Sequence, residues 1–221
     1  MVTKLSNKSQ VTSHKLKNKR VLITAGPTWV PIDDVRVISN IATGKTGILL
    51  AERLQRLGAK VTLLLGPSND CCLSDKIRLI HFRFFDELKD KIIQEVKYKK
   101  YDIVIHTCAV SDYKPLKNYK GKISSHKKRI LLRLKPTLKI INLIKKINRS
   151  LFLVGFKFEP EATKQRLVKA AKALLKSTPC DLVIGNTLSR GNYRAYIVGE
   201  KDISGPITNR KSLVERLIKQ L

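Results

Sequence analysis

From Val21 onward the chain alternates two hydrophobic rhythms. "VLITA" (21–25) is an unbroken run of apolar and β-branched residues, the pattern of a strand buried on both faces. "GILLAERLQRLGA" (47–59) instead places Leu50, Leu54 and Leu57 at helical spacing and stops at Gly58. Strands are predicted again over "KVTLLLG" (60–66), "IRLIHF" (77–82) and "YDIVIHTCAV" (101–110), with an amphipathic helix over "FDELKDKIIQEVKY" (85–98) before the last. The second half repeats the alternation: "RILLRL" (129–134) as strand, "LKIINLIKKI" (138–147) as helix, "LFLVGFKF" (151–158) as strand, "EATKQRLVKAAKALLK" (161–176) as a long helix. It closes with "DLVIGN" (181–186), a short strand "AYIV" (195–198) and the helix "SLVERLIKQL" (212–221). Strands separated by helices imply right-handed crossovers and a mostly parallel sheet covered on both faces, an α/β architecture. Ligands of such sheets sit at the carboxyl ends of the strands, so the residues just after each strand carry the functional question.

Those ends are rich in glycine. Gly26, Gly155 and Gly185 each follow apolar strand residues, where a missing side chain lets a ligand or a helix approach the backbone. One nearby stretch, "SNIATGKTG" (39–47), ends like a phosphate-binding P-loop. The match fails, because Ser39 stands where the first glycine of Gly-x-x-x-x-Gly-Lys-Thr must open a nest of N–H groups. No Gly-x-Gly-x-x-Gly follows the first strand, which argues against a dinucleotide-dependent dehydrogenase.

Charge and cysteine usage narrow the field further. At 221 residues the chain is long enough for one domain with a proper core. The net charge of +28 raises a basic nucleic-acid-binding protein as the competing reading. Short scattered runs such as "KYKK" (97–100) and "HKKR" (126–129) lack the aromatic interleaving that stacks bases, so nucleic acid is not the expected partner. Cys71, Cys72, Cys108 and Cys180 show no metal-ligand spacing, and no apolar run of about 18 residues appears, so no metal ligands are assigned and a cytoplasmic protein with no membrane association is expected. The first residues carry basic and no acidic side chains, and 1–19 is read as a flexible basic tail before a single domain at 20–221.

The block "ITAGPTWVPIDDVRVISNIATGKTG", followed in order by "AVSDY", "GKIS", "VGFKFE" and "DLVIGN", closely resembles phosphopantothenoylcysteine synthetase, the stand-alone form and the domain fused behind a flavin-dependent decarboxylase in many bacteria. The resemblance implies a Rossmann-like three-layer sandwich with a small β extension used for dimerisation. It implies a ligase of coenzyme A biosynthesis with no flavin of its own. The substrates would be 4'-phosphopantothenate, L-cysteine and a nucleoside triphosphate carrying Mg2+. Cytidine triphosphate is the first expectation and adenosine triphosphate the alternative, since "PTLKI" stands where cytidine-using members show Asn-Pro-Asp-Ile.

On the same resemblance, Asn40 and Lys122 are the catalytic candidates, Asn40 for turnover of an acyl-nucleotide and Lys122 as part of a mobile strap. Arg36, Asn40, Cys108, Ala109 and Asp112 match substrate contacts, Arg36 being the one that reaches a partner subunit's site in a homodimer. Gly26, Ala42, Gly44, Gly47, His106, Thr107, Cys108, Asp112, Lys122, Phe156, Lys172, Lys176 and Asn186 match nucleotide contacts. The physical sense is that a carboxylate acylates poorly until a leaving group is attached, so a triphosphate must be clamped by backbone N–H groups and cations. Cys108 is expected to be an inert thiol, and Lys172 and Lys176 to share one helix face at four-residue spacing.

Overall fold

The computed structural model describes residues 15–68 and 73–221, so Cys71, Cys72 and the first fourteen residues of the expected tail lie outside the described residues. In chain order the first half comprises β1 (Arg20–Ala25), β2 (Trp29–Pro31), β3 (Val37–Ser39), α1 (Lys45–Arg56), β4 (Lys60–Leu65), β5 (Arg78–His81), α2 (Phe85–Tyr98) and β6 (Ile103–His106). The second half comprises β7 (Tyr113–Pro115), β8 (Leu134–Pro136), α3 (Ile140–Ile147), β9 (Phe152–Phe158), α4 (Lys164–Ser177), β10 (Leu182–Ser189), β11 (Asn192–Val198), β12 (Ile203–Ile207) and α5 (Arg210–Ile218).

Eight strands form one sheet in the order β12-β11-β10-β9-β6-β1-β4-β5, in which all neighbours pair parallel except β10 with β11 and β11 with β12. From β1 the chain steps outward to β4 and β5, then crosses back to lay β6, β9 and β10 on the other side of β1. This is the Rossmann order, and its switch point lies between β1 and β6. The even-spaced apolar residues of the strands explain the layers. Val21, Ile23 and Ala25 join α1 and α5 in one core, whereas Leu22, Val104 and Leu153 join α2 and α3 in another, with α4 on Val183, Tyr196 and Val198. The three-layer expectation holds.

Four readings of the sequence change. Leu16 is only 1% exposed and packs in the α1 core, so the packed domain begins on the N-terminal side of residue 20, because an apolar residue inside the basic stretch finds a core to bury in. The run 129–134 is a strand only from Leu134, and Leu131 is 73% exposed, since among the described residues no segment pairs with 129–132. Two hairpins, β2–β3 and β7–β8, escape hydrophobic-pattern reading because their strands are three residues long. Gly155 and Gly185 admit helices rather than a ligand: a Cβ on Gly155 would meet Ile141 at 2.9 Å, and one on Gly185 would meet Leu167 at 3.2 Å.

The amino-terminal edge of the sheet is closed by acids. Asp102 accepts from the Arg20 N–H at 2.7 Å and Asp181 from the Leu153 N–H at 2.7 Å, meeting strand-opening donors. The mostly buried Glu95 takes Arg78 as a bidentate pair, at 2.6 and 3.0 Å, and also the Tyr101 hydroxyl.

Candidate active site

The opposite edge is built differently. β1 ends at Ala25, and Gly26 turns the chain with φ +82, where any side chain would press on the Gly66 backbone at about 3.1 Å. The ladder between β1 and β6 continues past both strands: Thr107 N–H donates to Thr24 O (3.0 Å), Ala109 N–H to Gly26 O (3.0 Å) and Thr28 N–H to Ala109 O (3.3 Å). Buried Thr28 and Ser111 close this seam, Ser111 N–H donating to Thr28 Oγ1 at 2.9 Å and Ser111 Oγ to Thr28 O at 3.1 Å. The chain then leaves through the β2–β3 hairpin and returns at Asn40.

Asn40 is the first predicted residue that the fold aims. Its Nδ2 donates to both Ala109 O and Val110 O, each at 3.1 Å. Both amide hydrogens are thereby committed, and the acceptor Oδ1 of this exposed residue is the atom presented outward. Four residues later Gly44 starts α1 in a left-handed conformation, with no side-chain cap and no acid in the first turn. Lys45 N–H reaches Thr43 Oγ1 only at 3.5 Å. The amides of the first turn, at the positive end of the helix dipole, are therefore available to an anion. Half-buried Ala42 lies between these two features. Gly47 serves a different need from close phosphate approach: a Cβ there would stand 2.5 Å from the Ala25 Cβ and 2.9 Å from Thr107 Oγ1, so its bareness seats α1 on β1.

Around the switch point the β6 residues divide their roles. His106 is buried and shares a 2.8 Å hydrogen bond between Nδ1 and Thr24 Oγ1, and burial pushes its pKa down to about 4, so the ring is neutral. Its side chain belongs to the sheet, and only its backbone borders the edge. Thr107 Oγ1 donates to Thr24 O at 2.8 Å. The Cys108 thiol donates to Gly26 O at 2.9 Å, and burial raises its pKa, which makes it inert as expected for a packed thiol. Asp112 is exposed and already paired with Lys139 of the "PTLKI" segment, at 2.5 Å.

Across the edge, Phe156 and Asn186 come out on the α1 side of the sheet. Phe156 pairs with Ile184, both pack toward the α1 core, and Asn186 lies two residues further along the same face. Lys172 and Lys176 do not join them. They are exposed on α4, which covers the other face, and Lys176 is in the last turn, next to the start of β10 at the amino-terminal edge. A crossover helix returns from the carboxyl to the amino edge, so the end of a 14-residue helix cannot reach the site. Arg36 does not project away from its own chain: its Nη1 holds Asp33 Oδ2 at 2.7 Å and Ile123 O at 3.2 Å. Lys122 is exposed on a strap bound to this same turn. Sequence reasoning missed Asp33, Asp34, Thr28 and Ser111; the adjacent acids of "PIDDVR" were the available signal.

Residues 16–212 match the family model described as DNA/pantothenate metabolism flavoprotein C-terminal domain. The chain belongs to this family. It is 37% identical over 206 residues to the coenzyme A biosynthesis bifunctional protein CoaBC of Thermococcus kodakarensis, covering 91% of this chain and 50% of the relative. The CoaBC protein of Borreliella burgdorferi is 32% identical over 214 residues, covering 93% of this chain and 53% of that one. This chain thus spans about half the length of the curated relatives it matches. Among solved structures, the DNA/pantothenate metabolism flavoprotein from Streptococcus pneumoniae superposes with TM-score 0.81 at 28% identity, covering 91% of this chain and 97% of that one. A Cab2 mutant in complex with phosphopantothenate-cysteine shares the fold, with TM-score 0.76 at 19% identity, covering 99% of this chain and 93% of that one.

Proposed function

We propose that the chain is a phosphopantothenate–cysteine ligase. The carboxylate of 4'-phosphopantothenate attacks the α-phosphorus of a nucleoside triphosphate, releasing pyrophosphate and leaving an acyl-nucleotide. The cysteine amine then adds to the acyl carbon, loses a proton, and expels the nucleoside monophosphate to give 4'-phosphopantothenoylcysteine. Neither step changes an oxidation state, so the reaction calls for no flavin. The observation that carries this reading is that Asn40, its Nδ2 held by the Ala109 and Val110 carbonyls and its Oδ1 left as an acceptor, precedes the uncapped start of α1 by four residues at the same sheet edge, which supports an amide-recognising group next to an anion site.

In this reading Gly26 and Gly44 let the triphosphate approach the backbone, Phe156 and Asn186 face the base and ribose, and Lys122 offsets charge on the phosphates. Mg2+ arrives on the triphosphate itself. Cytidine triphosphate remains the first expectation, with Lys139 standing in the segment that would meet the base. Exposed Leu116, Tyr119, Leu131 and Leu134 on the β7–β8 extension, with Val35 on the neighbouring turn, support a homodimer formed through that extension. Among the described residues no helix is long and apolar enough to cross a membrane.

The test is pyrophosphate release from the folded chain mixed with 4'-phosphopantothenate, cysteine, Mg2+ and either cytidine or adenosine triphosphate. Release that requires 4'-phosphopantothenate and the triphosphate, and that continues beyond one turnover only when cysteine is present, is expected. No release with either nucleotide overturns the reading.

A further inference from the structure

Between Leu116 and Leu131 a single residue is buried: Ile123, 6% exposed. The strap containing it has two unequal parts. In the stem every second residue is bonded to the turn of the β2–β3 hairpin. Tyr119 N–H donates to Ile32 O at 3.0 Å, and Gly121 N–H donates to Asp34 Oδ2 at 2.7 Å while Asp34 N–H returns to Gly121 O at 3.3 Å. Ile123 N–H donates to Asp33 Oδ2 at 3.0 Å, and Arg36 Nη1 donates to Ile123 O at 3.2 Å. Beyond Ile123 the bonding stops. Up to Arg133, whose carbonyl accepts from Leu116 N–H at 2.8 Å, the described residues show one local bond, from His126 N–H to Ser124 Oγ at 3.2 Å.

Asp33 is the centre of the stem. It is 3% exposed and accepts four donors: Val35 N–H at 2.9 Å and Arg36 N–H at 2.7 Å on Oδ1, Arg36 Nη1 at 2.7 Å and Ile123 N–H on Oδ2. That fills the acceptor capacity of a carboxylate. Its partner Arg36 completes the grip by bonding the carbonyl of the same residue whose N–H Asp33 holds, as an adjacent strand would. Lys122 lies between the two pinned residues Gly121 and Ile123, whereas Lys127 and Lys128 lie on the unbonded arc. The hairpin that carries this grip at its turn delivers Asn40 at the end of its second strand.

We propose that Asp33, acting with Arg36, is a positioning residue for the ligase reaction: by gripping Ile123 it fixes the backbone from which Lys122 reaches the site. The inference rests on the ligase reading for its catalytic half, and its anchoring half stands on the bonds alone. The Ile123 N–H, more than any other contact, holds the Asp33 carboxyl down to about 2, so the grip is ionised at every working pH.

Asp33→Asn replaces the oxygen that receives Ile123 and Arg36 by an amide donor while sparing the acceptor of the turn. In the full chain, limited trypsin digestion mapped by mass spectrometry should cut Asp33→Asn after Lys120 and Lys122 at least five-fold faster than wild type. Cleavage after Lys127 should change less than two-fold. Asp34→Asn, on an exposed residue with little bearing on folding, should show a smaller shift of the same kind. In the ligase assay Asp33→Asn should lower kcat about ten-fold or more with KM for the triphosphate within three-fold. Added to Lys122→Ala it should cost less than a further two-fold. Unchanged cleavage in both variants overturns the anchor. An equal loss on the wild-type and Lys122→Ala backgrounds overturns the positioning role, since a general structural defect acts on both. A wild-type chain that makes no product overturns the ligase reading and the catalytic half with it, while the digestion still decides the anchor.

Discussion

The two edges of the central sheet are made from the same strands and treated in opposite ways. At the amino-terminal edge Asp102 and Asp181 accept the N–H groups of Arg20 in β1 and Leu153 near the start of β9, and Glu95 binds Arg78 and Tyr101, so donors and charges there are answered by side chains. At the carboxyl edge the chain supplies glycines, backbone carbonyls and an uncapped helix start, and answers them only in part. Buried polar groups stabilise when every partner is present and cost heavily when one is lost. Groups left waiting stabilise little by themselves but are ready for a ligand. The contrast teaches that stability and chemistry have been assigned to opposite ends of one set of strands.

The largest break in that contrast should come from Asn40→Asp. Its charge replaces the amide held by Ala109 O and Val110 O, so pyrophosphate release should persist in the first turnover while amide product falls about 100-fold or more, on the order of 3 kcal/mol in the barrier. Undiminished product in steady state would remove Asn40 from the reaction. Glu95→Ala should do the reverse. It leaves Arg78 without its acceptor and Tyr101 with only Thr62 Oγ1, and should lower unfolding stability by about 3 kcal/mol, the low end for a buried pair because Arg78 is half exposed, with kcat unchanged well below the melting temperature. Chemical denaturation and rate measured on one sample separate the two edges.

The third probe is pH. His106 has a pKa near 4 when folded and 6.5 when unfolded, so below 6.5 the unfolded chain binds the proton that the folded chain refuses. Stability contributed by the neutral ring is therefore whole above 6.5 and lost as pH falls toward 4. Between pH 7.5 and 4.5 the wild type should lose about 2–3 kcal/mol more than His106→Asn, at roughly 1.4 kcal/mol per pH unit. Equal losses in both proteins would refute the assignment. Gly47→Ala should cost about 1–2 kcal/mol of stability by pushing α1 off Ala25 and Thr107, with ligase rate falling alongside it. Lys172→Ala and Lys176→Ala should change the triphosphate KM by less than about two-fold, because neither stands at the carboxyl edge. A ten-fold rise in KM would return them to the site.

Much of this was legible beforehand. The apolar runs located every strand of the parallel sheet, and the helix over 85–98 was placed to the residue, because β-branched runs and 3.6-residue spacing reflect burial on two faces or one. The ordered motif blocks brought out Asn40, Gly26, Gly44 and Ala109, which the fold gathers at one edge. What stayed illegible depended on partners far along the chain. Gly47 matches a nucleotide contact by resemblance, yet its neighbour is Ala25, 22 residues earlier and on the adjacent layer. Lys172 and Lys176 match nucleotide contacts by resemblance and by their spacing along a helix, and that spacing says nothing of the edge at which the helix ends.

By itself, the sequence determined the class of architecture, the positions of the parallel strands and the family to which the chain belongs, since these follow from local periodicity and contiguous motifs. Only the tertiary structure decided that the charged residues at 33 and 36 grip residue 123, some 90 positions away, and that the amide of Asn40 is spent on the carbonyls of 109 and 110. A hydrogen bond is a statement about direction and distance between two groups, and no composition or spacing along one segment contains the other partner.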